Sequence, residues 1–394
     1  MVSQRVSGIG ASVIHGMTKL AASVDDPAML SWAKPTSNTP QHICDGAVDS
    51  IRNGLTSGYS TSMGLPELRE SICRKLKRDN DVDMDISNII VTVGAIEGLS
   101  AAIMALVDPG DEVISPSPNY STHIQQIKLA GGTPVFVRTI EEENFRIDID
   151  SFKQAISPRT KAFIYCTPSN PTGAVFDESS LREIAEICME RDITVITDES
   201  YEYFTFDDHK HFSIASIPGM KSHSVSTFTF TKTYAMTGWR IGYLAADEAL
   251  IPEIQKVHIP FAICAPVVSQ YAALAALEGP QDCVGEFRQH YLNARDVLCE
   301  RLDRVPHVFS YQKPQGSYCM FPKIEWKDAE RTDDGSAVDS LKFGKKLLLE
   351  GRVSTTPGVA FGPSGEGHVR MTFCCPEDTI HKAFDRIEEF YPSL

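Results

Sequence analysis

Short apolar runs alternate with amphipathic helical patterns along the chain from about residue 45. The clearest pair is the apolar run Ile89–Val93, which ends at Gly94 and is followed by a helical pattern at 96–107. Further strands are predicted at Glu112–Ser115, Thr133–Val137, Lys161–Cys166, Thr194–Thr197 and Ser224–Phe230. Continuous apolar strands separated by helices favour a mostly parallel sheet between two layers of helices. The pattern therefore predicts an α/β fold.

The pattern changes after about residue 285, where a long charged helix is predicted at 286–303. Strands are then predicted at Val308–Tyr311, Gly316–Pro322, Val353–Thr356 and His368–Phe373, and helices at 337–350 and 376–390. This order is typical of a smaller α+β domain, which an amphipathic N-terminal arm at 12–31 would join. We expect residues 1–45 to form the arm and part of the small domain, 46–285 the large domain, and 286–394 the small C-terminal domain.

Composition and charge narrow the class of protein. The chain has 394 residues, of which 42% are hydrophobic and 23% charged, as in an ordinary globular protein. No apolar run approaches the length of a membrane span, and Met1–Arg5 carry no apolar signal core, so we expect a cytoplasmic protein. The net charge of −15 disfavours a nucleic-acid partner. Ten scattered cysteines without a Cys-x-x-Cys pair favour reduced thiols, and no metal site is expected.

The most informative candidate for chemistry is Lys232, within the segment Thr229–Arg240. Hydroxyl side chains lie three residues and one residue before this lysine, and Arg240 lies eight residues after it. Such groups would suit an anion bound beside a lysine that forms a Schiff base. The alternative is a lysine at the start of a helix with flanking threonines.

A second candidate is the segment Val91–Ile96, where a predicted strand runs into a predicted helix at Gly94. Ligands bind at the carboxyl ends of strands in open α/β sheets, where helix N-termini point outward. The amides of Ala95 and Ile96 would then receive a phosphate, together with the Thr229 hydroxyl and the Arg240 guanidinium. Many folds contain such a turn.

Two more segments follow strands: Tyr165–Gly173, which contains Ser-Asn-Pro-Thr-Gly, and Thr194–Tyr201. With these, the chain resembles the class I/II pyridoxal-phosphate-dependent aminotransferases, which have fold type I and are aspartate-aminotransferase-like. The likeness extends from Arg5–Ser7 to the last helix. It implies pyridoxal 5′-phosphate as the cofactor, Lys232 as its Schiff-base lysine, and a large domain with a mostly parallel sheet plus a smaller α+β domain.

The resemblance also implies roles for residues around the cofactor ring. Asn170 would hydrogen-bond the phenolic oxygen. Asp198 would pair with the pyridine nitrogen and keep the ring protonated, so that it accepts electrons released at the substrate's α-carbon. As an acid directly after a buried strand, Asp198 is otherwise read as a helix N-cap.

Three tyrosines complete the implied cofactor site. Tyr201 would donate to the phenolic oxygen. Tyr120 matches the residue that stacks on the pyridine ring, although an isolated tyrosine is more often part of a core. Tyr59, at the start of Tyr59–Arg69, matches the residue that reaches the phosphate of the neighbouring subunit. The resemblance therefore implies a homodimer with shared active sites.

Arg370 lies within the apolar run His368–Phe373. Burying an arginine is costly unless it is paired, and a planar guanidinium suits bidentate capture of a carboxylate. Arg370 matches the family residue that binds the substrate's α-carboxylate; the alternative is a structural ion pair.

The chain departs from the family at Trp32–Asn38, where family members commonly carry Gly-Glu-Pro-Asp-Phe. Ala33 stands in place of the glycine and Lys34 in place of the acid. The family segment lines the substrate pocket, so Ala33 is a candidate substrate-binding residue alongside Asn170 and Arg370. The change either reshapes the pocket or is tolerated drift.

We therefore expect an aminotransferase that moves an amino group from an α-amino acid to a 2-oxo acid, with Lys232 also acting as the base at the α-carbon. The alternative is a non-transaminating enzyme of the same fold, namely a β/γ-lyase or a cyclase acting on a modified amino acid in specialised metabolism. A non-enzymatic regulator is disfavoured because every catalytic position is intact. The cofactor motifs alone do not choose between the two reaction types.

Overall fold

The structure is a computed structural model that describes residues 2–10 and 12–392. The outermost residues of the predicted domains, Met1 and Leu394, lie outside this range, as do Ala11 and Ser393. Its α-helices span Gln4–Ser7, Val13–Ala21, Gln41–Arg52, Pro66–Asn80, Ala95–Leu106, Ser121–Ala130, Ile149–Ala155, Glu178–Arg191, Phe230–Thr233, Ile251–Ala262, Val267–Glu278, Asp282–Leu302, Ser340–Leu349 and Glu377–Phe390. In this part of the chain, no helix combines the length and apolar character needed to cross a bilayer.

Eight strands of the described chain form the central sheet. Their spatial order is Ile89–Thr92, Gly242–Ala246, Ser224–Thr229, Thr194–Asp198, Thr160–Cys166, Glu112–Ser117, Thr133–Ile140 and Arg146–Ile147. The five strands from Ser224–Thr229 to Thr133–Ile140 are mutually parallel, and the predicted mostly parallel sheet is confirmed. Gly242–Ala246 runs antiparallel to both of its neighbours.

The central strands are buried on both faces, as expected for a parallel sheet covered by helices. Glu112–Ser117 is buried along its whole length, and Phe163 and Val195 pair in adjacent strands with no exposed surface. Phe152, from the helix Ile149–Ala155, packs edge-to-face on Phe163 with 5.0 Å between ring centroids. Truncating such a side chain to alanine costs about 3–5 kcal/mol, so this core fixes the positions of the strand ends.

Smaller sheets lie outside the central one. Ala28–Met29 pairs in parallel with Val353–Ser354, so the N-terminal arm and the C-terminal segment share a sheet. Antiparallel pairs join Phe309–Ser310 to Lys323–Ile324, and Val369–Thr372 to both Cys319–Met320 and Thr356–Pro357. The domain limits at residues 45 and 285 stay predictions.

The structure differs from the sequence predictions in detail, including at two predicted strands and at one strand that was not predicted. Phe230 is not the end of a strand but begins a short helix, because the Thr229 hydroxyl accepts a hydrogen bond from the Thr231 amide at 3.2 Å. Val353–Thr356 was expected as one strand but divides between two sheets. The antiparallel strand Gly242–Ala246 was not predicted.

Candidate active site

A cavity of about 400 Å³ opens at the carboxyl ends of the parallel strands. Among its lining residues are most of those predicted from the sequence, namely Ala33, Ala95, Ile96, Tyr120, Asn170, Asp198, Tyr201, Thr229, Lys232, Arg240 and Arg370. Several of these residues meet here because they lie at the ends of strands of the central sheet, whereas Arg370 comes from the smaller sheet that contains Val369–Thr372. Among the described residues, no group of three or more His, Cys, Asp or Glu is placed to hold a metal ion.

Lys232 lies in the short helix that follows the strand Ser224–Thr229. Its Nζ donates to the Ala33 carbonyl oxygen at 3.0 Å and lies 5.8 Å and 5.5 Å from the ring centroids of Tyr201 and Tyr318. Burial in these surroundings lowers the pKa of Lys232 below its usual value. A larger fraction of the lysine is therefore the neutral amine, which is the form that attacks a carbonyl.

Asp198 is the last residue of the strand Thr194–Asp198 and is 5% exposed. Burial acts to raise the pKa of this carboxyl, but the hydrogen bond and charge of His123 and the bonds from Ser200 outweigh it, so the pKa is lowered. His123 Nε2 lies 3.3 Å from Oδ2, and the Ser200 amide and hydroxyl donate to Oδ1 at 3.1 and 2.5 Å. Asp198 caps a turn here rather than an α-helix, and it remains ionised.

His123 is a functional candidate that sequence reasoning missed. It is fully buried, and its Nδ1 lies 3.2 Å from the Asn119 side-chain amide nitrogen. Its ring also packs edge-on against Tyr120, with 5.3 Å between centroids. The available signal was the spacing from Tyr120, since residues three apart at a helix start share one face.

The turn after the strand Ile89–Thr92 forms a cradle for an anion. Gly94 adopts φ +74°, and a Cβ there would lie 2.7 Å from Arg240 Nη2, so a side chain would fill the cradle. The amides of Ala95 and Ile96 open the helix Ala95–Leu106, where first-turn amides have no intrahelical acceptor. Arg240 Nη1 donates to the Thr237 carbonyl at 3.1 Å, and no described carboxylate lies within 4 Å of its guanidinium.

Arg370 is 3% exposed and projects from the strand Val369–Thr372. Its terminal nitrogens donate to Asn170 Oδ1 at 3.1 Å, to the Ser31 carbonyl at 2.7 Å and to Thr356 Oγ1 at 3.2 Å. Its Nε is buried without a partner among the described residues, and none of their carboxylates pairs with it. The structural ion pair is therefore not what holds this cation, and a buried charge of this kind calls for an anion.

Backbone carbonyls hold the divergent segment at residues 32–34. The Ala33 carbonyl also accepts from the Tyr318 hydroxyl at 2.9 Å, and the Trp32 carbonyl accepts from Thr372 Oγ1 at 2.9 Å. Because these anchors are backbone atoms, the substitutions leave the path of the segment intact. The side chains of Trp32 and Lys34 line the cavity.

Two predicted site residues do not line this cavity: Gly94, which lies beside it in the cradle, and Tyr59. The Tyr59 side chain is 81% exposed, and it does not line the cavity of its own subunit.

The residues present fit pyridoxal 5′-phosphate. The cavity offers an amine of lowered pKa for an aldehyde, an ionised carboxylate for a pyridine nitrogen, and a glycine cradle with free amides and a guanidinium for a phosphate. The fold and the cavity together define a pyridoxal-phosphate-dependent transferase of fold type I.

Comparison with known proteins narrows this class. The family model for aminotransferase class I and II matches residues 30–387. The chain is 38% identical to the aspartate aminotransferase of Pyrococcus abyssi (98% of this chain, 97% of the relative) and 36% identical to aromatic-amino-acid aminotransferase 2 of Thermococcus litoralis (98% and 97%). The solved aspartate aminotransferase of Thermotoga maritima superposes with a TM-score of 0.91 at 31% identity, covering 100% of both chains.

The chain therefore belongs to the class I and II aminotransferases. Its reaction is pyridoxal-phosphate-dependent transamination, and the lyase or cyclase alternative is not favoured.

The lowered pKa of Lys232 predicts a pH-dependent effect on stability. Its charged form is disfavoured in the folded state, so the cofactor-free protein gains stability as the pH rises from the lowered pKa to the unfolded value near 10.4. We expect Lys232→Met to raise the melting temperature of the cofactor-free protein at neutral pH, with a gain that shrinks towards pH 10. Calorimetric melting across this range measures the effect, and a pH-independent gain would contradict it.

Proposed function

We propose that this chain is an aminotransferase in which Lys232 holds the cofactor and transfers protons, while Arg370 binds the substrate's α-carboxylate. One observation carries the proposal: a partly buried amine of lowered pKa and a buried guanidinium, which has no carboxylate partner among the described residues, line the same cavity. When bound, the cofactor supplies an electron sink for the pair released at the α-carbon. Lys232 would hold the cofactor through its Nζ, and with substrate bound the same Nζ would act as the base that accepts the α-carbon proton and as the acid that returns it.

The remaining residues would orient the cofactor and tune the reactivity of its ring. Asp198, kept ionised by His123, would hold the protonated pyridine nitrogen, and Tyr201 and Asn170 would donate to the phenolic oxygen. Tyr120 would stack on the ring. The phosphate would be held by the Ala95 and Ile96 amides behind Gly94, by the Thr229 hydroxyl and by the Arg240 guanidinium.

The substrate pair, we propose, includes a dicarboxylic acid. Lys34 lines the cavity and has no carboxylate within 4 Å among the described residues, so it is available for a second carboxylate. Ala33 presents its carbonyl to Lys232 and is the backbone contact nearest to the reacting amine. Relatives are named for aspartate and for aromatic amino acids, which makes both classes the first to test.

A homodimer with shared sites accounts for Tyr59. Exposed apolar side chains include Ile51 and Leu55 before Tyr59 in the chain, Phe261 in the last turn of the helix Ile251–Ala262, and Ile263 directly after it. Such side chains mark an interaction surface, and a second copy of the chain would cover them. Tyr59 would then reach the phosphate of the partner.

We also propose that the protein is cytoplasmic. All ten cysteines are unpaired, including the adjacent Cys374 and Cys375, and free thiols persist in a reducing compartment.

We propose the domain limits at residues 45 and 285 as well. The strand pairing of Ala28–Met29 with Val353–Ser354 supports an N-terminal arm that joins the C-terminal domain.

The reaction is tested by mixing the yellow holoenzyme with a panel of dicarboxylic, aromatic and basic amino acids and recording absorption spectra. We expect bleaching to the pyridoxamine form and recovery of the colour on adding a 2-oxo acid, with dicarboxylic substrates acting at the lowest concentration. Product formed without any pyridoxamine form would contradict transamination.

Arg370→Lys should lower kcat/KM for the amino acid roughly 10- to 150-fold. The lysine keeps the charge but loses bidentate capture, and a hydrogen bond to a charged group is worth about 1.5–3 kcal/mol. Steady-state kinetics measure the effect, with Arg304→Lys, at an exposed side chain just after the helix Asp282–Leu302, as a matched control. A change of less than threefold would remove Arg370 from the carboxylate site.

Phe261→Glu should convert the dimer to monomers and weaken cofactor binding, because a charge at an apolar interface is left desolvated. Phe261 is 53% exposed in the subunit, so the substitution should have little effect on the folding of the subunit. Sedimentation velocity and cofactor titration measure the two effects. Leu349→Glu, at an apolar residue that is 54% exposed on another helix, is the control and should remain dimeric. A dimeric Phe261→Glu variant would place the interface elsewhere.

A further inference from the structure

The loop that carries Tyr59 is held firmly although Tyr59 itself is exposed. The Met63 carbonyl accepts from the Val91 amide at 3.0 Å, which ties the loop to the strand leading into the phosphate cradle. From the other side, Gln255 Nε2 donates to the Ser62 hydroxyl at 2.5 Å. An ordered loop that presents an exposed aromatic residue is preorganised for a partner, since little ordering cost remains to be met on binding.

One buried side chain, Gln270, connects this loop to a second one. Gln270 has no exposed surface. Its Oε1 accepts from the Leu65 amide at 2.7 Å, and its Nε2 donates to the Ser60 hydroxyl at 2.9 Å and to the Ala265 carbonyl at 2.8 Å. A single amide therefore bridges both ends of the Tyr59 loop and the turn at residues 262–266.

The close approach of Gln270 depends on the backbone at Gly64. Gly64 adopts φ +100°, and a Cβ there would lie 2.5 Å from Val91 Cγ2 and 3.1 Å from Gln270 Oε1. A side chain at this position would push the loop away from both neighbours. The loop is thus packed between the strand of its own phosphate cradle and the Gln270 amide.

The second loop is strained and exposed. Ile263 adopts φ +63° and is 48% exposed, and positive φ is a genuine outlier for a β-branched residue. Such strain persists only where the surroundings impose it, and it concentrates at functional positions. The bond from Gln270 to the Ala265 carbonyl is one contact that holds this turn against the Tyr59 loop.

We propose that Gln270 is a positioning residue for the partner's cofactor site: it fixes Tyr59 at the angle at which its hydroxyl meets the partner's phosphate. The inference rests on the proposed shared dimer. Gln270 touches neither cofactor nor substrate in its own subunit, because it does not line the cavity. Its effect is therefore exerted on the opposite active site.

Gln270→Met keeps the length of the side chain and removes its three hydrogen bonds. In the homodimer we expect cofactor affinity to fall roughly tenfold or more, the worth of one hydrogen bond to a charged group. Equilibrium dialysis of the cofactor gives the affinity, and melting of the cofactor-free dimer reports any general loss of stability. Gln281→Met is the matched control, since the Gln281 amide also makes three bonds, to Tyr234, Ala276 and Gly279, and its cofactor affinity should stay at the native value.

Mixed dimers decide where Gln270 acts. Subunits carrying Gln270→Met and subunits carrying Lys232→Ala are co-expressed with different affinity tags, and the mixed dimer is isolated in two steps. Its one Lys232-bearing site then receives a native loop from the Lys232→Ala subunit. We expect this site to regain native cofactor affinity. Cofactor binding at this site is measured by the yellow absorption, which requires Lys232. Affinity as weak as in the Gln270→Met homodimer would overturn the inference, as would native affinity in that homodimer.

Two further variants keep the test decisive. Ser60 is partly exposed, and Ser60→Ala removes only one of the three hydrogen bonds of the Gln270 amide, the one to the Ser60 hydroxyl. This variant replaces Gln270→Met if Gln270→Met does not fold. We expect the same rescue in the mixed dimer. Tyr59→Phe, mixed with Lys232→Ala in the same way, tests the shared site itself. Rescue of Tyr59→Phe without rescue of Gln270→Met would reject only the role of Gln270. Failure of both would reject the shared site and the inference with it.

Discussion

Lys232, which is partly buried, and Arg370, which is buried, line one cavity, and the only carboxylate that lines it among the described residues is that of Asp198. Lys232 contacts a carbonyl oxygen and two aromatic rings. Arg370 donates hydrogen bonds to neutral oxygens, and its Nε has no hydrogen-bond partner among the described residues. Burying an uncompensated charge is costly, so an anion that enters this cavity would be favoured by its charge. A phosphorylated cofactor and a carboxylate substrate are anions, and the roles proposed for these residues rest on that electrostatic match.

The fold explains why these charges meet. Asp198 ends one parallel strand, Thr229 ends its neighbour, and Asn170 follows the next strand along the sheet. The carboxyl ends of parallel strands lie at one edge, where helix N-termini also point. The C-terminal sheet then brings Arg370 to the same edge through its bond to Asn170. The rigid core beneath the strands keeps these groups in place without help from the ligand.

Patterns that reside in one segment were predictable from the sequence. The parallel strands, the turn at Gly94 and the lysine segment follow from periodicity, turn chemistry and family resemblance. What the sequence left open depends on contacts between distant segments. His123 contacts Asp198, which lies 75 residues away in the sequence, and no local pattern marks that pair. The antiparallel strand Gly242–Ala246 looks like its parallel neighbours because both are buried on two faces. The predicted strand Val353–Thr356 divides at Thr355 because its two halves pair with different strands.

Chemical trapping shows which lysine holds the cofactor, and we propose that it is Lys232. Treating the holoenzyme with sodium borohydride converts a lysine–cofactor linkage into a stable secondary amine, which peptide mass spectrometry then locates. We expect the added mass on the peptide that contains Lys232, and we expect no such mass in Lys232→Ala. A cofactor mass on a different lysine, or none on any lysine of the yellow enzyme, would contradict this proposal.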